Sequence, residues 1–449
     1  MISLRNDSIG KLLWEFSLPA IIGMLVNALY NIIGRIFVGQ GVGYLAIAAV
    51  TVAMPVMILL MSVAMLVGVG ATALISIRMG EKKMDEVEKI AGNATGLLVL
   101  LPLLLSFVYF FNAEPLLVLF GASPEVLPYA KEYSHIIMMG AVPGALAFGM
   151  NNFIRAEGNP RIAMLTQIIG AVINIVCNYI YIFIFDWGIQ GSALATVTGQ
   201  TVSAIWVLSH FLMGRSRIKL RAKYLRLDPS IVLKTITIGF APFAMQIANS
   251  VQQTLLNNTL REYGGDIAIS AVGIVMSISM LLLMPIVGVS QGAQPIIGYN
   301  YGAQNYERVK ETLKKAVLVG TAMAAGGFIL LHLFAVPVVG LFSKNDLALT
   351  ELAVHASLVF LALMPIVGFQ IIGSSYFQAV GKPIQSTILS LSRQVLLFIP
   401  LLLLLPRFYK IEGVWITAPI ADGLAVLVTG TFLFFELRKY KKPVPALGD

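Results

Sequence analysis

The chain repeats itself after 222 residues. When Ala46 is set against Ala268 and the comparison runs forward without a gap, 13 of the next 44 pairs are identical. The identical pairs include Gly70 with Gly292, Ala71 with Ala293, Gly80 with Gly302 and Val87 with Val309. This period is too long for a solenoid, so the pattern indicates a duplicated domain.

The composition is that of an integral membrane protein. Hydrophobic residues make up 58% of the chain and charged residues only 12%, whereas soluble proteins carry about 25% charged residues. The first apolar run, from Leu12, follows a charged start and is too long for a cleaved signal peptide. The single cysteine, Cys177, excludes an internal disulfide.

Twelve apolar runs are long enough to cross a bilayer as helices, which requires about 20 residues each. Their long, unbroken hydrophobicity argues against a barrel, whose strands would alternate. The sequence therefore predicts an all-α polytopic protein with an N-lobe at 1–214, a basic cytoplasmic linker at 215–230 and a C-lobe at 231–449. The predicted spans are 12–37, 46–77, 90–111, 132–154, 162–184 and 189–213, then 231–260, 267–299, 312–334, 352–378, 386–405 and 412–437.

Positive charge predicts the orientation. The termini and the loops on their side of the membrane hold 24 of the 31 Lys and Arg residues, which places both termini in the cytoplasm. Because each half has six spans, the two halves enter the membrane in the same direction as parallel repeats. The net charge of +9 thus reflects topology rather than nucleic-acid binding, and the linker cluster Arg215–Arg226 is interpreted as a solvated loop near anionic lipid.

Polar side chains inside the spans either join helices by hydrogen bonds or line a cavity. Asn174 and Asn178 are four residues apart and share one helix face. Polar residues are densest on the first and seventh spans, which are repeat equivalents, and this favours a cavity. The candidate cavity residues are Asn27, Tyr30, Asn31, Asn174, Gln246, Asn249, Gln252 and Gln253.

Methionines form stripes on the second and eighth spans. Met54 aligns with Met276, and Met280 follows one turn later. Flexible thioethers suit a surface that accepts many apolar shapes, so these three are also cavity candidates. Ordinary helix packing or lipid contact explains the stripes as well.

Two charges lie near mid-membrane, Arg393 in the eleventh span and Asp422 in the twelfth. A lone charge there costs at least about 2.5–3.5 kcal/mol, so we expect the two side chains to pair. The pair is either a static tie between helices or a titratable switch. The repeat equivalents are Ala171 and Gln200, so the first half has no such pair.

Arg155 and Glu157 lie at the cytoplasmic end of the fourth span, where they suggest a gate or a loop contact. The histidines show no metal-ligand spacing. No phosphate-binding loop, Cys-x-x-Cys or nucleophile elbow occurs in the sequence. The sequence therefore predicts neither an enzyme nor a cofactor or metal site.

Several motifs resemble those of the multidrug and toxic compound extrusion (MATE) family. They are Leu-Tyr-Asn-Ile-Ile-Gly-Arg-Ile-Phe-Val-Gly at 29–39, Arg-Ala-Glu-Gly-Asn-Pro at 155–160 and Gln-Ala-Val-Gly-Lys-Pro at 378–383. Within this family the chain resembles the bacterial MepA-type exporters. The resemblance implies two V-shaped six-helix lobes around a central cavity, and a monomer in the bacterial plasma membrane. It implies alternating-access export of organic, often cationic compounds, driven by inward flow of protons or sodium ions.

The chain departs from the family at the coupling residues. The resemblance implies aspartates at two places where this chain has Gly34 and Asn178. The family's coupling mechanism therefore does not transfer residue by residue. We expect any coupling to use Asp422, with Arg393 and Asn178 as further candidates.

Two other functions stay open. A flippase for a lipid or a lipid-linked sugar would need basic side chains around an anionic headgroup, and only Arg393 offers one. A receptor or scaffold that no longer transports would explain the missing carboxylates. Transport across vesicle membranes separates the scaffold from the other two.

Overall fold

A computed structural model describes residues 4–5, 7–42, 44–214, 216–343 and 347–439. Almost all of these residues are helical, and no β-strand occurs among them. Continuous helix is the expected outcome for apolar segments in a bilayer, because a helix satisfies its own backbone hydrogen bonds where water is absent.

The first half forms six spans from seven helices. A break at Gly140 bends α4 against α5 by 53° within one predicted span, and a π-helical segment, Ile180–Ile184, extends α6. The helices are α1 (Ile9–Gly41), α2 (Tyr44–Gly80), α3 (Met84–Leu119), α4 (Leu127–Met139), α5 (Ala141–Ala156), α6 (Pro160–Tyr179) and α7 (Gly188–Leu212).

The second half repeats this plan with longer continuous helices. They are α8 (Pro229–Gly302), α9 (Tyr306–Ser343), α10 (Leu347–Phe360), α11 (Met364–Ala379), α12 (Pro383–Leu391) and α13 (Ile399–Lys439). The backbone leaves helical geometry at Gly265 inside α8 and at Lys410 inside α13. Each of these elements therefore consists of two helical segments that meet at a kink. A π-helical segment, Ser392–Phe398, joins α12 to α13.

The described helices account for the twelve predicted spans. Length and apolar composition alone identify eight spanning helices, or ten when the two bent pairs are included. One of the eight, Pro383–Lys439, divides at Lys410 into two spans. The twelfth is α7, which carries many Ser, Thr and Gln residues and is therefore less apolar.

The backbone keeps the repeat even where the side chains differ. Both α3 and α9 are kinked by a residue with φ of −126°, Asn112 in one and Phe334 in the other. The bend between α10 and α11 is 51°, close to that between α4 and α5. Residues with positive φ also recur after 222 positions: Lys82 with Gln304, and Gly188 with Lys410.

The chain divides into two compact units that exchange the ends of their first helices. The N-unit contains Leu18–Ile247 and the described residues before Ser8, and the C-unit contains Ser8–Ser17 and the chain from Ala248 onward. The start of α1 thus belongs to the C-unit, and the start of α8 to the N-unit. These limits differ from the predicted division at 214 and 231.

Glycines at helix crossings explain where the exchanged ends pack. In the N-unit a Cβ on Gly70 would lie 2.1 Å from the backbone oxygen of Thr235, so α2 and α8 approach to backbone contact. In the C-unit a Cβ on Gly292 would lie 2.5 Å from Ser17 Oγ. Small residues permit this close approach inside a membrane. Gly70 and Gly292 are repeat equivalents, which gives their identity a structural reason.

The linker packs on the N-unit and is not a freely solvated loop. Ile218 is fully buried. Asn93 Nδ2 in α3 donates to the backbone oxygen of Tyr224 at 3.1 Å, and Arg221 Nε lies 2.7 Å from the buried carboxylate of Glu88. The prediction of a free loop missed these contacts because each joins residues more than a hundred positions apart.

Large apolar side chains cover the outside of both units. Phe111 and Leu119 are 73% and 76% exposed in the N-unit, and Phe408 is 73% exposed in the C-unit. Such exposure would be unfavourable in water. It is the surface that lipid requires.

Candidate functional site

The N-unit encloses a cavity of about 380 Å³. Its wall is built from α1, α2, the bent pair α4–α5, α6, α7 and the start of α8. Several predicted cavity residues line it: Asn27, Tyr30, Asn174, Gln246 and Met54. Asn178 was predicted as a coupling residue, and the structure places it in the same wall.

Asn178 and Asn174 are at the centre of the polar wall. Their four-residue spacing puts both on one face of α6, and both side chains are buried. Asn178 Nδ2 donates to the backbone oxygen and to Oδ1 of Asn174, each at 3.0 Å. Asn174 Nδ2 donates to Thr196 Oγ1 at 3.3 Å, and Thr196 Oγ1 donates to the backbone oxygen of Ser192 at 3.1 Å.

The part of the wall that α2 contributes is largely apolar and adaptable. Met54, Met57 and Met61 of α2 line it, and Tyr133 Oη donates to the Met57 sulfur at 3.7 Å. The stripe predicted from Met54 onward therefore faces the cavity along this helix. Thioethers adapt their shape at little cost.

The described lining of the cavity carries no carboxylate and no basic side chain. Gly34, where the family resemblance predicts an acid, lines the cavity, and a Cβ there would meet nothing within 4 Å. The tyrosines Tyr30 and Tyr133 are the titratable groups in the described wall. The cavity is thus polar without being charged.

The other predicted cavity residues whose side chains the structure describes do not line this space. The side chain of Asn31 lies outside the described part of the structure. Met276 and Met280 are on α8 in the C-unit, and Met280 is 48% exposed. Asn249, Gln252 and Gln253 also belong to the C-unit. Gln253 donates to Asn257 Oδ1 at 3.0 Å, and Gln252 Oε1 is buried without a hydrogen-bond partner among the described residues.

The C-unit contains the ion pair predicted from the cost of lone charges. Arg393 Nε lies 2.5 Å from Asp422 Oδ1. Arg393 is in the π-helical segment between α12 and α13, and such segments often occur at functional sites. The neighbouring Gln394 donates to Asn249 Oδ1. The ion pair therefore adjoins the polar face of α8.

Glu157 is the acceptor of a buried hydrogen-bonded corner at the end of α5. Asn159 Nδ2 donates to it at 3.0 Å and the Arg217 backbone N at 3.1 Å, and His210 Nε2 and Ser216 Oγ also contact it. Burial alone would raise the pKa of Glu157, but the bonds from His210, Ser216 and Asn159 hold this pKa below its ordinary value. Glu157 thus fastens the α5–α6 loop and α7 to the linker.

The C-unit fastens the equivalent loop with the charges reversed. Lys382, in the loop between α11 and α12, contacts Glu436 near the end of α13. Lys439 Nζ lies 3.4 Å from the same carboxylate.

The gate or loop contact predicted at Arg155 and Glu157 lies in the N-unit, at the hydrogen-bonded corner around Glu157. Arg155 is buried beside Glu157 at the end of α5.

Sequence reasoning missed two ionisable features. Glu15 lies in the first turns of α1, and its Oε2 is buried without a hydrogen-bond partner among the described residues. Its position inside the first apolar run was the available signal. His355 Nε2 lies 2.9 Å from Glu412 Oε1, joining α10 to α13, and no local pattern links these two residues.

Both halves of the chain match the profile of one known protein family. The MatE family profile matches the chain twice, over residues 19–180 and over 242–404. The chain belongs to the MatE family. One match falls in each half, so each copy of the internal repeat corresponds to one MatE unit.

Relatives over nearly the whole chain are exporters. The multidrug export protein MepA of Staphylococcus saprophyticus is 26% identical over 423 residues, covering 94% of this chain and 93% of the relative. MepA of Staphylococcus aureus strain NCTC 8325 is 28% identical over 434 residues, with the same coverage. These MatE proteins are named as transporters and not as enzymes.

Solved MatE structures share the fold. A crystal structure of MATE in complex with MaL6 superposes with a TM-score of 0.93 at 24% identity, covering 98% of each chain. An outward-facing multidrug resistance MATE transporter of the MOP superfamily gives a TM-score of 0.92 at 25% identity, with the same coverage. The predicted all-α architecture of twelve membrane helices is thereby confirmed.

Proposed function

We propose that this MatE protein exports organic amphiphilic compounds, many of them cationic, by alternating access across a bacterial plasma membrane. The inward flow of protons or sodium ions drives it, one chain acts alone, and both termini are cytoplasmic. The observation that carries the proposal is the N-unit cavity, which combines thioether and amide walls in a chain of the MatE family.

The cavity has the size and surface that such substrates need. Pockets for drug-sized ligands measure about 300–1,000 Å³ and combine apolar walls with a few polar groups. The N-unit cavity, at about 380 Å³, falls in this range. Its described wall has no cationic side chain to bind a phosphate headgroup. This supports the exporter over the flippase.

Asp422 is the proposed coupling acid, with Arg393 as its partner. The carboxylate is buried against the guanidinium. Protonating or replacing it would leave Arg393 without its counter-charge in a poorly hydrated place. A change of protonation at Asp422 can therefore drive a rearrangement of the C-unit.

Efflux from vesicles tests the function. Proteoliposomes containing the purified protein are loaded with ethidium, and pH and sodium gradients are imposed separately. We expect efflux to require one of the two gradients. Retention of the dye under both gradients would contradict export and favour a non-transporting role.

Substitution tests the coupling residue in the same vesicles. Asp422→Asn is expected to reduce gradient-driven efflux at least tenfold, while Glu114→Gln, the same exchange at a carboxylate that is 61% exposed, leaves it intact. Unchanged coupled flux in Asp422→Asn would remove Asp422 from the mechanism.

A further inference from the structure

The linker packs along one face of α3 in the N-unit. Two glycines permit this, because a Cβ on Gly92 would lie 2.7 Å from the backbone oxygen of Tyr224, and a Cβ on Gly96 would lie 2.9 Å from that of Leu225. The turn of 3₁₀-helix that contains both linker residues is thereby held against the first turns of the predicted span at 90–111. Backbone packing therefore fixes the position of the linker on the helix.

Two lysine ammonium groups meet at the ring of Tyr224. Lys223 Nζ lies 4.6 Å from the ring centroid, and Lys89 Nζ lies 6.0 Å from it. Both lysines are exposed, and neither forms an ion pair with a residue that the structure describes. The acid beside Lys89, Glu88, contacts Arg221 at 2.7 Å instead. The packed linker thus brings two positive charges together without a counter-charge.

This arrangement favours an anion at the Tyr224 ring. Like charges repel at short range, and an anionic group between them replaces this repulsion with attraction. A phosphate offers several oxygens that accept hydrogen bonds from ammonium groups. At a membrane surface the phosphates belong to lipid headgroups, and lysine attracts the headgroups that carry a net negative charge.

An apolar surface continues along α3 from the two lysines. Gly96 and Leu100 follow Lys89 by about two and about three helical turns, so all three residues lie on the same face of the helix. Leu100 and Leu103 are 41% and 52% exposed, and Leu225 of the linker is 46% exposed. Cationic groups followed by exposed leucines match a phospholipid, whose acyl chains begin below its phosphate.

The repeat equivalents in α9 have a different chemistry. Gly92 corresponds to Lys314, so a long side chain replaces the hydrogen atom on which the linker packs. Lys89 corresponds to Glu311, an acid that is paired with Lys315 at 2.6 Å. We therefore expect one site per chain and not two.

We propose that the N-unit binds one anionic phospholipid at α3 and the linker. Its phosphate lies between Lys89 and Lys223 beside the Tyr224 ring, and an acyl chain lies against Leu100 and Leu225. None of these residues belongs to the described cavity wall. The lipid site is thus separate from the cavity that carries the proposed export function.

Native mass spectrometry of the purified protein tests the site. The protein is released from detergent micelles that contain equal amounts of phosphatidylglycerol and phosphatidylcholine with identical acyl chains. The wild type is expected to retain one phosphatidylglycerol per chain. Lys89→Gln with Lys223→Gln should lower the ratio of bound phosphatidylglycerol to bound phosphatidylcholine about tenfold, because two attractions for a net negative headgroup are lost.

A second double variant separates a defined site from the general positive charge of the protein. Lys219→Gln with Lys314→Gln also removes two exposed lysines, neither of them at the Tyr224 ring. It changes the net charge equally and should keep the lipid ratio within about twofold of the wild type. Equal losses in the two double variants would overturn the proposal.

Further variants keep the test decisive. Lys89→Arg with Lys223→Arg retains both charges and is expected to retain the preference for phosphatidylglycerol. If the double glutamine variant does not fold, Lys89→Gln and Lys223→Gln are measured singly, and each should lower the ratio about threefold. An unchanged ratio in both single variants would count against the site.

A soluble phosphate ester distinguishes a lipid site from a phosphate site. Glycerophosphoglycerol has the same headgroup without acyl chains, and we expect it not to displace bound phosphatidylglycerol. Displacement would assign the site to a soluble phosphate and overturn the lipid proposal. The lipid ratio is measured without transport, so a failure of export and a failure of lipid binding are distinguishable.

Discussion

The two halves of the chain share a backbone but differ in the chemistry of their interiors. In the N-unit the polar wall is neutral, with Asn174 and Asn178 joined by hydrogen bonds. In the C-unit the buried polar group is an ion pair, Arg393 with Asp422, and the equivalent N-unit residues are Ala171 and Gln200. Helix geometry was therefore retained while the electrostatics diverged.

The corners that hold the loops after α5 and α11 show the same divergence. In the N-unit an acid on the loop, Glu157, accepts from His210 at the end of α7. In the C-unit a base on the loop, Lys382, contacts an acid at the end of α13, Glu436. The position needs a charge-assisted contact, and either sign on the loop supplies it.

The ion pair should show the largest effect. Asp422→Gln alone leaves Arg393, whose side chain is 27% exposed, without its counter-charge and is expected to lower the free energy of unfolding by about 3–4 kcal/mol. The double variant Arg393→Ala with Asp422→Gln installs the N-unit residues in the C-unit and should recover much of this loss. Thermal unfolding in detergent measures both. A double variant as unstable as the sum of its single variants would show that the pair is not coupled.

Alanine substitutions at the glycine helix crossings should cause the next largest loss of stability. Gly70→Ala should cost about 3 kcal/mol, because its methyl group would meet a backbone oxygen that cannot rotate away. Gly292→Ala should cost less, about 2 kcal/mol, since the nearest backbone atom to its Cβ, Ser17 N, is 2.7 Å away rather than 2.1 Å. Gly326→Ala, where a Cβ meets nothing within 4 Å, is the control and should be neutral or slightly stabilising. Equal unfolding temperatures for all three would refute the close crossings.

The Glu157 corner predicts a moderate, pH-dependent loss. Glu157→Gln should cost about 2 kcal/mol at pH 7, since it removes a charge that accepts several hydrogen bonds. Because the pKa of Glu157 is lowered in the folded protein, its contribution is complete above the ordinary carboxyl pKa of 4.5. The contribution disappears as the pH falls through the lower folded value.

The difference in unfolding temperature between wild type and Glu157→Gln should therefore become smaller on acidification. A difference that stays constant from pH 7 down to pH 3 would show that the charge of Glu157 does not contribute.

The pair of His355 and Glu412 should show the smallest effect. Both side chains are about half exposed, and exposed pairs contribute little. Glu412→Gln is expected to change stability by about 0.5 kcal/mol or less, and the change should vanish in high salt. The equivalent N-unit positions hold Tyr133 and Gln190, which are not an acid–base pair. A loss above about 2 kcal/mol would place this pair among the structural ties.

The sequence predicted the features that follow from local composition and period. Apolar runs predicted the spans, the 222-residue repeat predicted equivalent helices, and the cost of a lone charge predicted the contact of Arg393 with Asp422. The four-residue spacing of Asn174 and Asn178 also placed them correctly on one face of α6. Each of these depends on a rule that acts within one helix or across one helix pair.

Such rules do not predict contacts between segments that are far apart in the sequence. Besides its near neighbour Asn159, Glu157 has partners in α7 and the linker that are 53 to 60 residues away, and the residue types of these distant partners do not predict the contact. The kinks at Asn112 and Phe334 share no residue type. The exchange of helix ends depends on tertiary packing at Gly70 and Gly292, and sequence identity alone could not distinguish this from any other repeated glycine.

The exchanged helix ends also bear on the ancestry of the chain. Two copies of a single six-helix protein that traded the first turns of their first helices would form a domain-swapped homodimer. Joining the two genes through residues 215–230 would preserve every swapped contact in one polypeptide. Fusion would also free each former subunit from the requirement that both copies mutate alike. Separately expressed halves of this protein are therefore the natural material with which to rebuild the ancestral pair.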